Sequence, residues 1–191
     1  SKSFQDYFVW QYWKLYQNNP FAALYYDVSA ESNGMNPLGG TGYRKRDGSW
    51  VPAQASLGAR EVAKRLYTMI KLRHPDAIIK YHNSGLVNMA YLAFCDYFVE
   101  GECTINMLTQ DKPDYIGKIR PDTYRAEMMG RNFGFVTDFL YQFTRSGMWT
   151  YDSMRKDNKG LYAVDQVLGL SMLHDCTRWD SYAPHEFAMR L

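Results

Sequence analysis

Apolar runs that stop at a charged or imidazole side chain recur along this chain. Ala22-Ala23-Leu24-Tyr25-Tyr26 stops at Asp27, and Ala77-Ile78-Ile79-Lys80-Tyr81 stops at His82. Asp96-Tyr97-Phe98-Val99 leads into Glu100-Gly101-Glu102. A helical pattern separates the first two: over 56–73, Val62, Ala63, Leu66, Met69 and Ile70 fall on one face. Strand, helix, strand in that order predicts parallel strands that carry their polar ends to one rim. In a β/α barrel that rim is the C-terminal face, where active sites are built.

The rest of the pattern extends this reading. Residues 4–18 place Phe4, Phe8, Tyr12 and Leu15 at helical spacing, with Ser3 as an N-cap and Asn18-Asn19-Pro20 as the stop. Residues 29–56 are irregular, and Asp47-Gly48 predicts a small hairpin between Gly42 and Pro52. In the 56–73 helix, Ser56 is the expected cap and Glu61 the expected partner of Arg65. A loop opens at Asn83-Ser84-Gly85 and a short helix is expected over 86–94. Residues 101–118 read as loop with helical turns. A helix follows over 121–129, a turn over 130–134, a fourth strand over 135–143, a helix over 160–173 and a short strand within 174–180. No internal repeat or interdomain linker interrupts the 191 residues, so they read as one domain or part of one.

Three to five βα-like units are present, whereas a complete (β/α)8 barrel needs eight in about 250 residues. The expected fold class is therefore α/β: a partial TIM-like barrel, the C-terminal half of a larger catalytic domain, with an open sheet as the alternative. The chain opens on Ser-Lys-Ser directly before a helix, which suggests a piece of something longer.

Composition narrows the function classes. Aromatics make up 16% of residues, a high share; large aromatics fill cores and interfaces, and their flat faces can also stack on sugar rings. The net charge is only +2, and no clustered basic face marks a nucleic-acid footprint. No apolar run reaches the ~18 residues of a membrane span. The three cysteines form no CxxC or Cys/His ligand set, although Cys95 and Cys103 flank the third strand. HExxH, GxSxG and Walker motifs are absent, so neither a metal nor a cofactor is expected.

Asp27 can act as nucleophile, base or charge stabiliser; its structural alternative is an Asx turn after the strand. Glu100 and Glu102 stand two apart, and a like-charged neighbour or an apolar wall can hold one carboxyl protonated for general-acid work. Glu102 is favoured as the acid with Glu100 tuning it, and the reverse assignment stays open. His82 and Asn83 are candidates for binding a sugar hydroxyl or orienting a carboxylate. Tyr26, Tyr43 and Trp50 are candidate sugar platforms, and Tyr25, Tyr81 and Trp179 belong to the same class. Along an extended strand Tyr26 and Asp27 point to opposite sides. Arg44-Lys45-Arg46 on the long loop suggests an anionic glycan.

The order of Ala23-Leu24-Tyr25-Tyr26-Asp27-Val28-Ser29, Gly42-Tyr43, Asp47-Gly48, Ala59-Arg60-Glu61, Lys64-Arg65-Leu66-Tyr67, His74-Pro75-Asp76, His82-Asn83-Ser84-Gly85 and Phe94-Cys95-Asp96 ahead of Glu100-Gly101-Glu102 resembles the C-terminal half of a catalytic barrel. The group it resembles is the bacterial glycoside hydrolases akin to family 123, over roughly residues 4–145. The resemblance implies a TIM-like barrel that hydrolyses a glycosidic bond in a secreted or periplasmic enzyme. It places Asp27 near the fourth strand and Glu102 near the sixth. That family uses an adjacent Asp-Glu pair to assist the substrate's N-acetyl group. This sequence has no such dipeptide, and Asp27 is followed by Val28. Carboxylates on separate strands, Asp27 and Glu102, are the reading here.

The expected function is thus a glycosidase acting on an oligo- or polysaccharide, completed by the remainder of a barrel in the same or another chain. Two rivals stand beside it. One is a non-catalytic carbohydrate-binding or scaffold protein. The other is a metal-dependent hydrolase built from Asp27, His82, His174 and Asp175.

Overall fold

A computed structural model describes residues 1–19, 21–27, 33–36, 38, 41–83, 89–102, 115–128, 133–144, 150–156 and 158–189. The chain divides into two compact units, Ser1–Tyr81 with Asn88–Asp96, and His82–Val87 with Tyr97–Leu191. Both are built from parallel strands and helices, an α/β arrangement.

In the first unit, helix α1 (Lys2–Asn18) leads to strand β1 (Ala23–Tyr26). Three two-residue pieces follow, β2 (Asn33–Gly34), β3 (Tyr43–Arg44) and β4 (Trp50–Val51), then β5 (Ala53–Gln54) and helix α2 (Ser56–Lys71). Strand β6 (Ile78–His82), whose last residue His82 belongs to the second unit, runs parallel to β1, with Ala23 opposite Ile78 and Tyr26 opposite Tyr81. Helix α3 (Met89–Leu92) closes the unit; the expected 83–85 loop and the start of the 86–94 helix lie largely outside the described residues. The predicted hairpin is present as antiparallel β3 and β4. Its turn is held by Asp47, whose Oδ1 accepts from the Ser49 amide at 2.8 Å and the Ser49 hydroxyl at 2.7 Å. These two bonds hold the Asp47 carboxyl below its usual range.

The helix faces differ in detail from expectation. On α1 the inward line is Phe8, Tyr12 and Tyr16, each one turn apart, while Phe4 and Leu15 are exposed. The cap is Ser1, not Ser3: its hydroxyl accepts from the Phe4 amide. Helix α2 begins at Ser56 itself, preceded by Ala55 without a side-chain cap. Arg65 pairs with Asp6 of α1 at 2.7 Å rather than with Glu61, because packing brings a better-placed carboxylate than the one a turn away. Ala63, Leu66 and Ile70 are buried as the periodicity predicts.

A polar staple ties the end of α2 to the strand that follows. Lys71 Nζ donates to the Ala77 carbonyl at 2.7 Å and pairs with Asp96 at 2.9 Å. Asp96 in turn accepts from the Ile79 amide at 2.8 Å. Asp96→Ala leaves the Ile79 amide without this acceptor and takes the carboxylate from Lys71, which keeps the Ala77 carbonyl, and is expected to cost about 1–3 kcal/mol. The urea midpoint of the variant measures it, and a wild-type midpoint would show the staple to be idle.

In the second unit β7 (Tyr97–Glu100), β8 (Val136–Phe139) and β9 (Thr177–Arg178) run parallel, with Val99 opposite Asp138 and Asp138 opposite Thr177. Helices α4 (Tyr115–Lys118), α5 (Pro121–Met128), α6 (Tyr151–Lys156), α7 (Asn158–Leu173) and α8 (His185–Ala188) accompany them. Phe139, Tyr141 and Phe143 run from β8 into a core with Tyr124, Met154, Val164 and Val167. Most of the 101–118 loop, Cys103 with it, and most of the 130–134 turn lie outside the described residues. Among the described residues no helix is long and apolar enough to cross a membrane.

Candidate functional site

The second unit gathers polar side chains where its parallel strands end. Glu100 closes β7 and is fully buried. Its carboxylate accepts from the Gly101 amide at 2.8 Å and from Asn83 Nδ2 at 3.4 Å. Asn83, also fully buried, is seated by its own amide, which donates to the Val99 carbonyl at 3.1 Å. Gly101 then turns the chain at φ +140, a conformation that side-chain-bearing residues rarely adopt. The turn separates the two glutamates: Glu100 lies in the interior and Glu102 reaches a side-chain exposure of 20%.

Glu102 is the hub of this cluster. One of its oxygens accepts from Gln142 Nε2 at 3.0 Å, and the other lies 3.5 Å from His82 Nε2. His82 is almost wholly buried, and its ring centre stands 6.5 Å from that of Trp179. Each contributor sits at or just past a strand end: His82 on β6, Glu102 after β7, Gln142 after β8 and Trp179 after β9. Side chains at the C-terminal ends of parallel strands are freed from the ladder, and the strands behind hold them in place. A carboxylate, an imidazole, an amide and an indole gathered there can bind a polyhydroxylated ligand and move a proton.

Of the sequence candidates, His82, Asn83, Glu100 and Glu102 come together here. Asp27, Tyr26, Tyr43 and Trp50 belong to the first unit. Asp27 is exposed and accepts from the Tyr25 hydroxyl at 3.3 Å. It lines a cavity of about 370 Å³ with Phe8, Tyr26, Val62, Leu66 and Tyr81. Tyr26 stacks on Tyr81 at 4.8 Å and meets Tyr12 of α1 at 5.7 Å, which is a packing position. Burial above all, then the neighbouring Tyr81 and Tyr12, pushes its hydroxyl far above the usual phenol range. Tyr43 and Trp50 are both exposed on the hairpin. Tyr43 lies opposite Val51 and Trp50 opposite Arg44, so the two rings project from opposite faces.

Sequence reasoning missed Gln142, Asp138 and Glu127. Asp138 is buried on β8 and accepts from the Thr177 hydroxyl at 2.9 Å. Glu127 on α5 is half-buried; burial first, and the charge of Glu100 second, push its carboxyl above the usual range. Only the carboxylate within the Val136–Phe139 run was a visible signal. Gln142 and Glu127 become informative only through their neighbours. Among the described residues no three His, Cys, Asp or Glu side chains form a group able to hold a metal. His174 instead has Nδ1 2.8 Å from the Leu170 carbonyl, with its ring against Tyr124.

Glu127 gives a pH test. A carboxyl whose pKa is raised by folding favours the protonated chain, so its contribution is present at low pH and lost as pH rises through the folded value. Glu127→Gln is expected to stabilise the protein at pH 7–8, by under about 1 kcal/mol given solvent screening, and not at pH 4. Thermal melts at both pH values check it; an equal shift at each would show that charge is not the cause.

Comparison of the chain with protein-family models, with curated proteins and with solved structures finds no match.

Proposed function

We propose that this chain is part of a (β/α)8-barrel glycoside hydrolase that cleaves an oligo- or polysaccharide by carboxylate catalysis. The observation that carries the reading is Glu102, partly open to solvent at the end of β7, hydrogen-bonded by Gln142 and facing His82, with Trp179 beside His82. Glycoside hydrolysis asks for this set: a carboxyl group at the scissile bond, hydroxyl-binding polar groups and an aromatic face for the sugar ring. The β-then-α chain order and the motif resemblance to family 123-like hydrolases support it. Glu100, two residues before it, is held in the interior by Asn83 and the Gly101 amide. Asp27, at the end of β1 in the first unit, stays a candidate carboxylate in its own right.

The test incubates the intact native protein with a panel of neutral and anionic polysaccharides and aryl glycosides, and reads reducing-end release. Release from at least one substrate is expected. Glycan binding by calorimetry without release would favour the carbohydrate-binding alternative, and neither release nor binding would end both.

A further inference from the structure

The interactions around Glu102 bear on which form of the carboxyl the site selects. Gln142 lies just beyond β8 with its side chain fully buried, where an amide must find partners. Its Nε2 donates to one Glu102 oxygen at 3.0 Å. The other oxygen faces His82 Nε2 at 3.5 Å. The oxygen on the Gln142 side is therefore placed to receive a hydrogen rather than to carry one. The carboxylate gains most from this arrangement.

Other charges near the site do not reverse the argument. Glu100 accepts from the Gly101 amide and Asn83. Asp138 on β8 is engaged by Thr177, and Asp180 after β9 accepts from the Tyr141 hydroxyl at 2.5 Å and faces Arg178 at 3.9 Å. Glu127 on α5 feels Glu100. His82 Nε2 faces the Glu102 oxygen that Gln142 does not bond.

We propose that Gln142 is a positioning residue that holds Glu102 ionised, so that Glu102 serves as the base, nucleophile or charge-stabilising carboxylate. This assignment rests on the glycosidase reading and reverses the acid role that the sequence suggests for Glu102. In the proposed step the carboxylate either takes a proton from the attacking water or attacks the anomeric carbon. A separate acid gives its proton to the departing glycosidic oxygen.

The experiment is a side-chain carboxyl NMR titration of the intact protein labelled with 13C-glutamate, the Glu102 signal being identified by its loss in Glu102→Gln. In the wild type Glu102 is expected to titrate below the ordinary glutamate value of about 4.3. In Gln142→Leu its midpoint is expected to rise by roughly 1 unit, while that of the exposed Glu61 stays put. On an active substrate, the acid limb of the kcat/KM profile should move by the same amount. A wild-type midpoint at or above 4.3 overturns the proposal without any variant, as does an unmoved midpoint in folded Gln142→Leu. Absence of hydrolysis on every glycan would sink the glycosidase reading and leave the titration to decide the positioning role separately.

Discussion

Glu102→Gln is expected to lower turnover on any glycan the protein hydrolyses by about 10²–10⁴-fold while leaving the chain folded. The substitution keeps the side chain's length and an oxygen for Gln142 to donate to, so the 3.0 Å bond can persist. What it removes is the carboxylate. Glu100→Gln provides the contrast. Glu100 is fully buried and bonded to Asn83 and the Gly101 amide, so its loss should show first in stability. Steady-state kinetics with thermal melts on both variants separates these effects. Wild-type turnover in Glu102→Gln would remove the glutamate from the reaction; a greater kinetic loss in Glu100→Gln would transfer the role to the buried residue.

Gly101→Ala carries the largest expected structural effect. A Cβ at this position would lie 2.2 Å from the Leu140 carbonyl oxygen and 2.8 Å from its carbon, and both are backbone atoms. The same segment is tied down by the Leu140 amide, which donates to the Glu100 carbonyl at 2.8 Å. Neither side can yield without breaking that bond, and φ +140 adds strain for any L side chain. Overpacking, strain and a lost hydrogen bond together are expected to cost about 3–5 kcal/mol. Chemical denaturation would measure it, and a variant within 1 kcal/mol of wild type would mean that the turn relaxes freely. If the variant folds, its Glu102 should be displaced and its turnover low.

These two expectations draw on different layers of information. Glu100-Gly101-Glu102 is visible in the sequence as two carboxylates astride a glycine at the end of an apolar run. That one of them is interior and the other partly open depends on the Gly101 turn, against which the Leu140 backbone packs some forty residues later. The hairpin at Asp47-Gly48 was legible because its turn is closed by bonds within five residues. The inward line of α1 was less so. Its aromatics lie on several faces, and only packing selects Phe8, Tyr12 and Tyr16 over Phe4 and Leu15. Helices Tyr115–Lys118, Tyr151–Lys156 and His185–Ala188 span four to six residues, too short for periodicity to declare them.

By itself the sequence determined the parallel-strand segments, the two long amphipathic helices after them and the polar residues at each strand end. Those features arise from side-chain periodicity and turn chemistry, which act over a few neighbouring residues. The tertiary structure alone decided that Gln142 and His82 meet Glu102, that Trp179 stands beside His82, that Arg65 chooses Asp6, and that Tyr26 packs rather than projects. Each of those pairings joins positions 14 to 97 residues apart, and such neighbours are selected by how the elements pack, which no local pattern encodes.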